Sequence, residues 1–364
     1  MLGSKKLVSA VVLGALWSLS ALAAQDTALS ASDRAAIVQT LAAKMNANYI
    51  DPTRAEQVGS AIIRKNAEGG YAAAAGATAF SAALNKDLRE LSGDLHFSVG
   101  RYEGFSEPSA TEEPPSRAKI DEWRNAAARR GYDIEKIERL PGNVGYIELR
   151  RFGGVESVGA AYAAAMSLLA GTDALVVDLR RNGGGDPASV AYLMSHFLPA
   201  GQPHHLTDHY DRPTGTTRQI WTVPTFSQRY DKPVYVLTSA RTGSAAEDFA
   251  YNVQVLKRGT VVGETTIGAS NPMNWYSLGY DIAVSIPTSR MINFVTKTNW
   301  EHVGVKPDVA VPAAQALQAA HVAILRKLAS SAKEGGERTE LQRLLVMVEK
   351  GETEKPVYTL AGKR

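Results

Sequence analysis

PVYVLTSARTGSAAEDFAYNVQVLKRGTVVGETTIG, residues 233–268, decides the fold. Pro233 to Leu237 is a short apolar run rich in β-branched and aromatic residues, which suits a buried strand. Thr238 to Gly243 is small, polar and glycine-containing, which suits a tight loop. From Ser244 the pattern turns helical, with Phe249, Val253 and Leu256 at three- and four-residue spacing. Arg258-Gly259 ends the helix, and Val261-Val262-Gly263 opens another strand. Ser244 therefore stands where a strand and loop give way to a helix N-terminus.

Two roles fit that position. Ser244-Ala245-Ala246-Glu247 matches the S-x-x-E capping box, in which serine and glutamate satisfy the free N–H groups of the first turn. Alternatively, the same free N–H groups and the positive end of the helix dipole could serve a serine nucleophile and a tetrahedral oxyanion. A nucleophile needs a base, and residues 244–256 contain no histidine. The base must come from another part of the chain.

Around this unit the chain reads as β-α-β repeats. Val144–Leu149 is a strand, Val158–Ala170 an alanine-rich helix, and Ala174–Leu179 a continuous apolar strand of the kind covered on both faces. Arg180-Arg181-Asn182-Gly183-Gly184-Gly185 and a helix near Ala188–Phe197 follow. Residues 200–230 are polar and aromatic without a clear period. Strands are expected near Tyr280–Ile286 and Ile292–Val295, and helices over Gln315–Ala329 and Glu340–Glu349. On the N-terminal side, residues 29–90 read as helices, one with Ile37, Leu41 and Met45 on a single face. LSGDLHFSVG, 91–100, then turns at Ser92-Gly93-Asp94 and becomes strand-like, with His96 at the junction. Residues 104–119 have a linker composition, and Ile134–Leu140 is a strand.

Composition narrows the function. Lys5-Lys6, the apolar run that follows and Ala21-Leu22-Ala23 form an export leader with an A-x-A cleavage signal. The apolar run is too short to span a bilayer, so no stable membrane anchor is expected. There is no cysteine, hence no disulfide, thiol nucleophile or lipid-anchoring thiol. Formal charge is +3, and loss of the leader with Lys5 and Lys6 leaves about +1, which offers nothing to nucleic acid or an anionic surface. Gly183-x-Gly185-x-x-Ala188 imitates a dinucleotide fingerprint, but GQPHHLTDHYDRP stands where its acidic second strand should be. The glycines read better as bare N–H groups facing an oxyanion. His204, His205 and His209 lie beside Pro203 and Pro213 and read as surface histidines of a loop, not zinc ligands. Neither metal nor cofactor is expected. The G-x-S-x-G elbow is absent, because Thr242 and Ala246 occupy its glycine positions.

Four stretches in order carry a resemblance: DLRRNGGG at 178–185, TSARTGSAAEDFA at 238–250, VVGETTIG at 261–268 and VGVKPDVAV at 303–311. With LSGDLHFSV before them, they resemble the tail-specific, or carboxy-terminal processing, serine peptidases. The resemblance implies an α/β fold with a ClpP/crotonase-like core of β-α-β units and an N-terminal helical subdomain. It places the nucleophile at Ser244. Those enzymes resemble a serine–lysine dyad, with lysine just after the glycine matching Gly268; here that residue is Ala269. Their PDZ domain does not fit in the roughly 45 residues between His96 and the strand at Val144. Both departures resemble the branch of the tricorn core protease and the interphotoreceptor retinoid-binding protein repeats. There the resemblance implies a triad of Ser244, His96 and Glu301. Oxyanion donors would be the N–H of Ala245 and one from Gly184 or Gly185.

The sequence thus divides into a leader (1–23), an N-terminal helical domain (24–91), a connecting segment with the histidine (92–143), a catalytic core (144–311) and C-terminal helices with a tail (312–364). The expected function is hydrolysis of peptide bonds in a peptide or protein substrate outside the cytoplasm. The rival is a non-catalytic carrier of a hydrophobic ligand in the same cleft.

Overall fold

Three helices lead the computed structural model, which describes residues 26–107, 116–223 and 229–353. They are α1 (Ala31–Asn48), α2 (Pro52–Ala67) and α3 (Ala77–Ser92). Ser30 and Asp33 close a reciprocal capping box at the start of α1, and Ile37, Leu41 and Met45 are buried on one face. Asp51 caps α2, with Pro52 in the first turn where its missing N–H costs nothing. Gly93 ends α3 in the left-handed region, at φ 75°. The chain then enters β1 (Ser98–Arg101) and, beyond residues 108–115, α4 (Arg117–Arg129).

The central unit alternates strand and helix: β2 (Ile134–Leu140), β3 (Val144–Leu149), α5 (Val155–Leu169), β4 (Ala174–Asp178), α6 (Pro187–Met194), then β5 (His205–Asp211), β6 (Thr216–Trp221), β7 (Val234–Thr238), α7 (Ala245–Val255) and β8 (Thr260–Gly263). It continues through β9 (Met273–Gly279), β10 (Ile282–Pro287), β11 (Ser289–Asn293), β12 (Val309–Ala310), α8 (Ala316–Ser331) and α9 (Gly336–Glu349). The main sheet runs β12-β8-β7-β4-β3-β2, parallel except for the β3–β2 pair. Leu175 and Val177 of β4 pack with α5, α6 and α7 on one face; Ala174 and Val176 pack with α8 on the other. Burial on both faces is why this strand reads as an unbroken apolar run. The protein is the α/β fold that the β-α-β pattern predicts.

Adjacent parallel strands β4 and β7 deliver their C-terminal loops to the same edge. The glycine loop after β4 and the Ser244 loop after β7 therefore meet. Thr242 Oγ1 donates to Leu179 O at 2.8 Å, and Gly243 N–H donates to Asn182 O at 3.1 Å, stapling the two loops together.

Leu84 and Leu88 of the helical segment share one apolar cluster with Phe97 and Val99 and with Leu278, Ile282, Val284 and Ile286 of β9–β10. That small sheet, ordered β1-β10-β9, ties α1–α3 to the rest of the chain. Residues 200–223 hold two strands, β5 and β6, in a three-stranded sheet with β11. Consequently His205 is not a surface residue. It is buried, stacked on Trp221 at 4.6 Å and against Phe294 at 4.3 Å between ring centroids. The leader, most of the proline-rich part of 104–119 and the tail from residue 354 lie outside the described residues.

Candidate active site

Ser244 is the residue before the first turn of α7 and sits at φ 52°, ψ −122°. For a non-glycine residue this backbone is strained, at a cost on the order of 1–3 kcal/mol, and persists only where surroundings enforce it. Glu247 is one enforcer. Its Oε2 accepts the Ser244 N–H at 2.8 Å and the Ala269 N–H at 2.9 Å; its Oε1 accepts the Gly268 N–H at 2.7 Å and the Thr266 hydroxyl at 2.5 Å. Burial pushes the Glu247 carboxyl up, against those hydrogen bonds. The glutamate half of the capping box is thus made, and it also clamps the 266–269 loop. Ser244 Oγ lies 3.3 Å from His96 Nε2.

His96 is aimed by the segment between α3 and β1. Gly93 turns the chain, Ser92 Oγ accepts the Asp94 N–H at 3.0 Å, and Asp94 Oδ1 accepts the His96 N–H at 3.0 Å. Arg89 Nε donates to Phe97 O at 2.7 Å, and Ser285 Oγ of β10 donates to His96 O at 2.6 Å. The far ring nitrogen, Nδ1, is buried without a hydrogen-bond partner. Asp94 Oδ1 stands 3.8 Å from it, and the Asp94 side chain is fully buried. Burial lowers the His96 pKa below its ordinary value, with Asp94 pulling the other way.

Glu301 lies beside this cluster but forms no ion pair with His96 among the described residues; its ion-pair contact is His302 Nδ1 at 3.8 Å. Its Oε2 accepts the N–H groups of Ser270 at 2.5 Å and Asn271 at 3.1 Å. Asn271 Nδ2 in turn donates to Asp94 Oδ2 at 3.2 Å, so one asparagine bridges the two carboxylates. Glu301 Oε1 is buried without a hydrogen-bond partner. Burial, and then the Asp94 charge, push the Glu301 carboxyl up to about 7. The carboxylate touching the histidine side of the pair is therefore Asp94, which the sequence reading took only as part of a turn. Its proximity to His96 in D-L-H was the available signal.

The two glycines separate. Gly184 N–H donates to Asn182 Oδ1 at 2.9 Å and is used up. The N–H groups of Gly185 and Ala245 have no intramolecular acceptor among the described residues. Gly184, at φ 111°, passes so close to the nucleophile that a Cβ there would stand 2.6 Å from Ser244 Cβ and 3.0 Å from Ala245 N. A Cβ on Gly185 would fall 1.9 Å from Phe152 O. Only glycine lets this loop run beside Ser244. A cavity of about 190 Å³ opens against the pair, walled by Pro187, Pro272, Met273, Met291 and Trp300. Where a serine–lysine dyad would have its base, Ala269 is buried; its N–H is held by Glu247 and its carbonyl by Trp300 Nε1 at 3.1 Å.

Two family models match the chain: peptidase family S41 over residues 143–311, and the N-terminal domain of Peptidase_S41 in eukaryotic IRBP over residues 21–130. The chain carries a peptidase family S41 domain. The tail-specific protease of Haemophilus influenzae is 27% identical over 36% of this S41 chain and 16% of its own length. The carboxy-terminal processing protease CtpB of Bacillus subtilis is 26% identical over 46% of this chain and 34% of its own. The matches thus span about a sixth and a third of those relatives. Among solved structures, a candidate peptidase from Parabacteroides merdae superposes with TM-score 0.58 at 20% identity, covering 84% of this chain and all (100%) of the other. Mature CPAF gives TM-score 0.55 at 11% identity over 88% of this chain and 97% of its own. At these identities the structures share the fold with the S41 chain.

Proposed function

We propose that this protein is a serine peptidase that hydrolyses peptide bonds of a peptide or protein substrate outside the cytoplasm. The observation that carries the reading is Ser244 Oγ, 3.3 Å from His96 Nε2, on a strained residue at the N-terminus of α7. In this reading the neutral imidazole takes the Ser244 proton as Oγ attacks the scissile carbonyl, and returns it to the leaving amine. The peptidase-family domain and the names of the two bacterial relatives support it.

Asp94 and Glu301 are the candidates to stabilise the imidazolium. Asp94 has contact, at 3.8 Å from Nδ1; Glu301 Oε1, like His96 Nδ1, is buried without a hydrogen-bond partner. We keep Glu301 as the triad acid and add Asp94 as the carboxylate that orients the ring, the two being linked through Asn271. The developing oxyanion would be met by the N–H groups of Ala245 and Gly185, with Gly184 shaping the approach. Carriage of a hydrophobic ligand has less support, because a cavity of about 190 Å³ beside the pair is smaller than the roughly 300–1,000 Å³ usual for ligand sites.

Digesting a peptide library with the wild-type protein and Ser244→Ala tests the reading. New N-termini produced by the wild type and absent with Ser244→Ala are expected; an identical, uncut library in both overturns it. Export rests on Lys5-Lys6, the apolar run and Ala21-Leu22-Ala23, with no helix among the described residues long and apolar enough to cross a membrane. The intact mass of the exported protein should lack the first 23 or so residues; a mass that includes Met1 contradicts export by this leader.

A further inference from the structure

Asp248 follows Ser244 by one helical turn, so both side chains leave α7 on the same face, and both border the cavity beside the nucleophile. The walls of that cavity are apolar, and no lysine or arginine lines it. Asp248 is the carboxylate among its lining residues, and only 3% of the residue is exposed. One oxygen, Oδ1, accepts Asn252 Nδ2 at 2.8 Å; Asn252 is held in turn by Asn293 Nδ2 at 3.0 Å. Among the described residues no cation pairs with the group: burial drives its pKa up to about 7, and only Asn252 and Thr207 oppose that shift. A buried carboxyl without a counter-ion beside an apolar cavity is costly. A guest that brings the missing charge removes the cost.

The geometry points to Asp248 as a specificity residue: the cavity takes the substrate side chain whose carbonyl Ser244 attacks, and selects one with an apolar stem and a cationic tip, of the lysine or arginine class. This rests on the peptidase reading above. The methionine, proline and tryptophan walls cover the methylene stem, as long cationic side chains require. The tip then meets Asp248 in a desolvated, charge-assisted contact. Binding becomes coupled to ionisation of Asp248, so the preference strengthens as pH rises past neutrality.

Two peptidyl diphenyl phosphonates, identical except for lysine or norleucine at the position attacked, separate the possibilities. They share stem length and differ in the charge at the tip. The expected result is that wild-type Ser244 is labelled at least about tenfold faster by the lysine probe, a discrimination well within what one paired buried group provides. In Asp248→Asn the ratio of the two rates should fall to near unity, whatever the overall rate. Equal or faster labelling of the wild type by norleucine overturns the inference and leaves the peptidase reading standing. Lysine selectivity that survives in Asp248→Asn also overturns it. If neither phosphonate nor a fluorophosphonate labels Ser244, the peptidase reading fails and takes this inference with it.

Discussion

His96 Nε2 must be unprotonated to accept from Ser244, so the lowered His96 pKa sets the acid side of the pH profile. Activity should rise along a limb centred below the ordinary histidine value of about 6.5. Asp94 favours the imidazolium, so Asp94→Asn should move that limb further to acid, besides lowering the rate by about tenfold or more through loss of ring orientation. A limb that moves to alkaline pH contradicts the electrostatics described here. Burial and the Asp94 charge push the Glu301 carboxyl up to about 7, so the wild-type rate should keep rising through neutrality, whereas Glu301→Gln should level off earlier and turn over at least about tenfold slower. A Glu301→Gln enzyme with an unchanged profile and rate removes Glu301 from the mechanism. In the sequence, only the family resemblance joined Ser244 to His96; no local pattern links residues so far apart. Asp94 was hidden because Ser92-Gly93-Asp94 also satisfies the rules for a turn, and it does make that turn. Glu247 was hidden in the same way: S-x-x-E is a capping signature, and its reach to Gly268 and Ala269 depends on contacts about twenty residues away.

Helix α7 is seated by Phe249, fully buried between Phe152 and Phe197 at 5.9 Å from each ring. Phe249→Ala should cost about 3–5 kcal/mol of stability, read by denaturant midpoint, and should also reduce activity because Ser244 rides on this helix. Loss of activity with no change in midpoint contradicts that coupling. The glycine loop fails differently. Gly185→Ala puts a methyl into Phe152 O and should destabilise the fold. Gly184→Ala presses on Ser244 and Ala245 N, and should lower turnover by more than it lowers stability. Strands β4 and β7 were readable because both faces are covered and the runs are wholly apolar. Strand β5, HLTDHYD, was not: its buried end contains His205 and Thr207, and what covers it is the pairing with β6 and β11 and the ring of Trp221. Helical and extended periods cannot be told apart in such a segment without its neighbours.

Across the whole molecule, the helical segment and the catalytic unit share one apolar cluster through β1 and β9–β10, and that sharing carries His96 to Ser244. Val284 and Ile286 are fully buried against α1–α3. A chain that starts at residue 92 would expose them, and should unfold at a lower denaturant midpoint and show no hydrolysis. An unchanged midpoint for that fragment would show the helical segment to be a separate domain. Long-range pairing of this kind is invisible to local periodicity, which shows residues 29–90 only as helices. The central claim is that Ser244 is a nucleophile activated by His96. A fluorophosphonate probe followed by peptide mass mapping tests it most directly. The account predicts one adduct, on Ser244, absent in Ser244→Ala and slowed at least about a hundredfold in His96→Ala. No adduct at any pH, or an adduct on Ser244 that forms at the wild-type rate in His96→Ala, would contradict it.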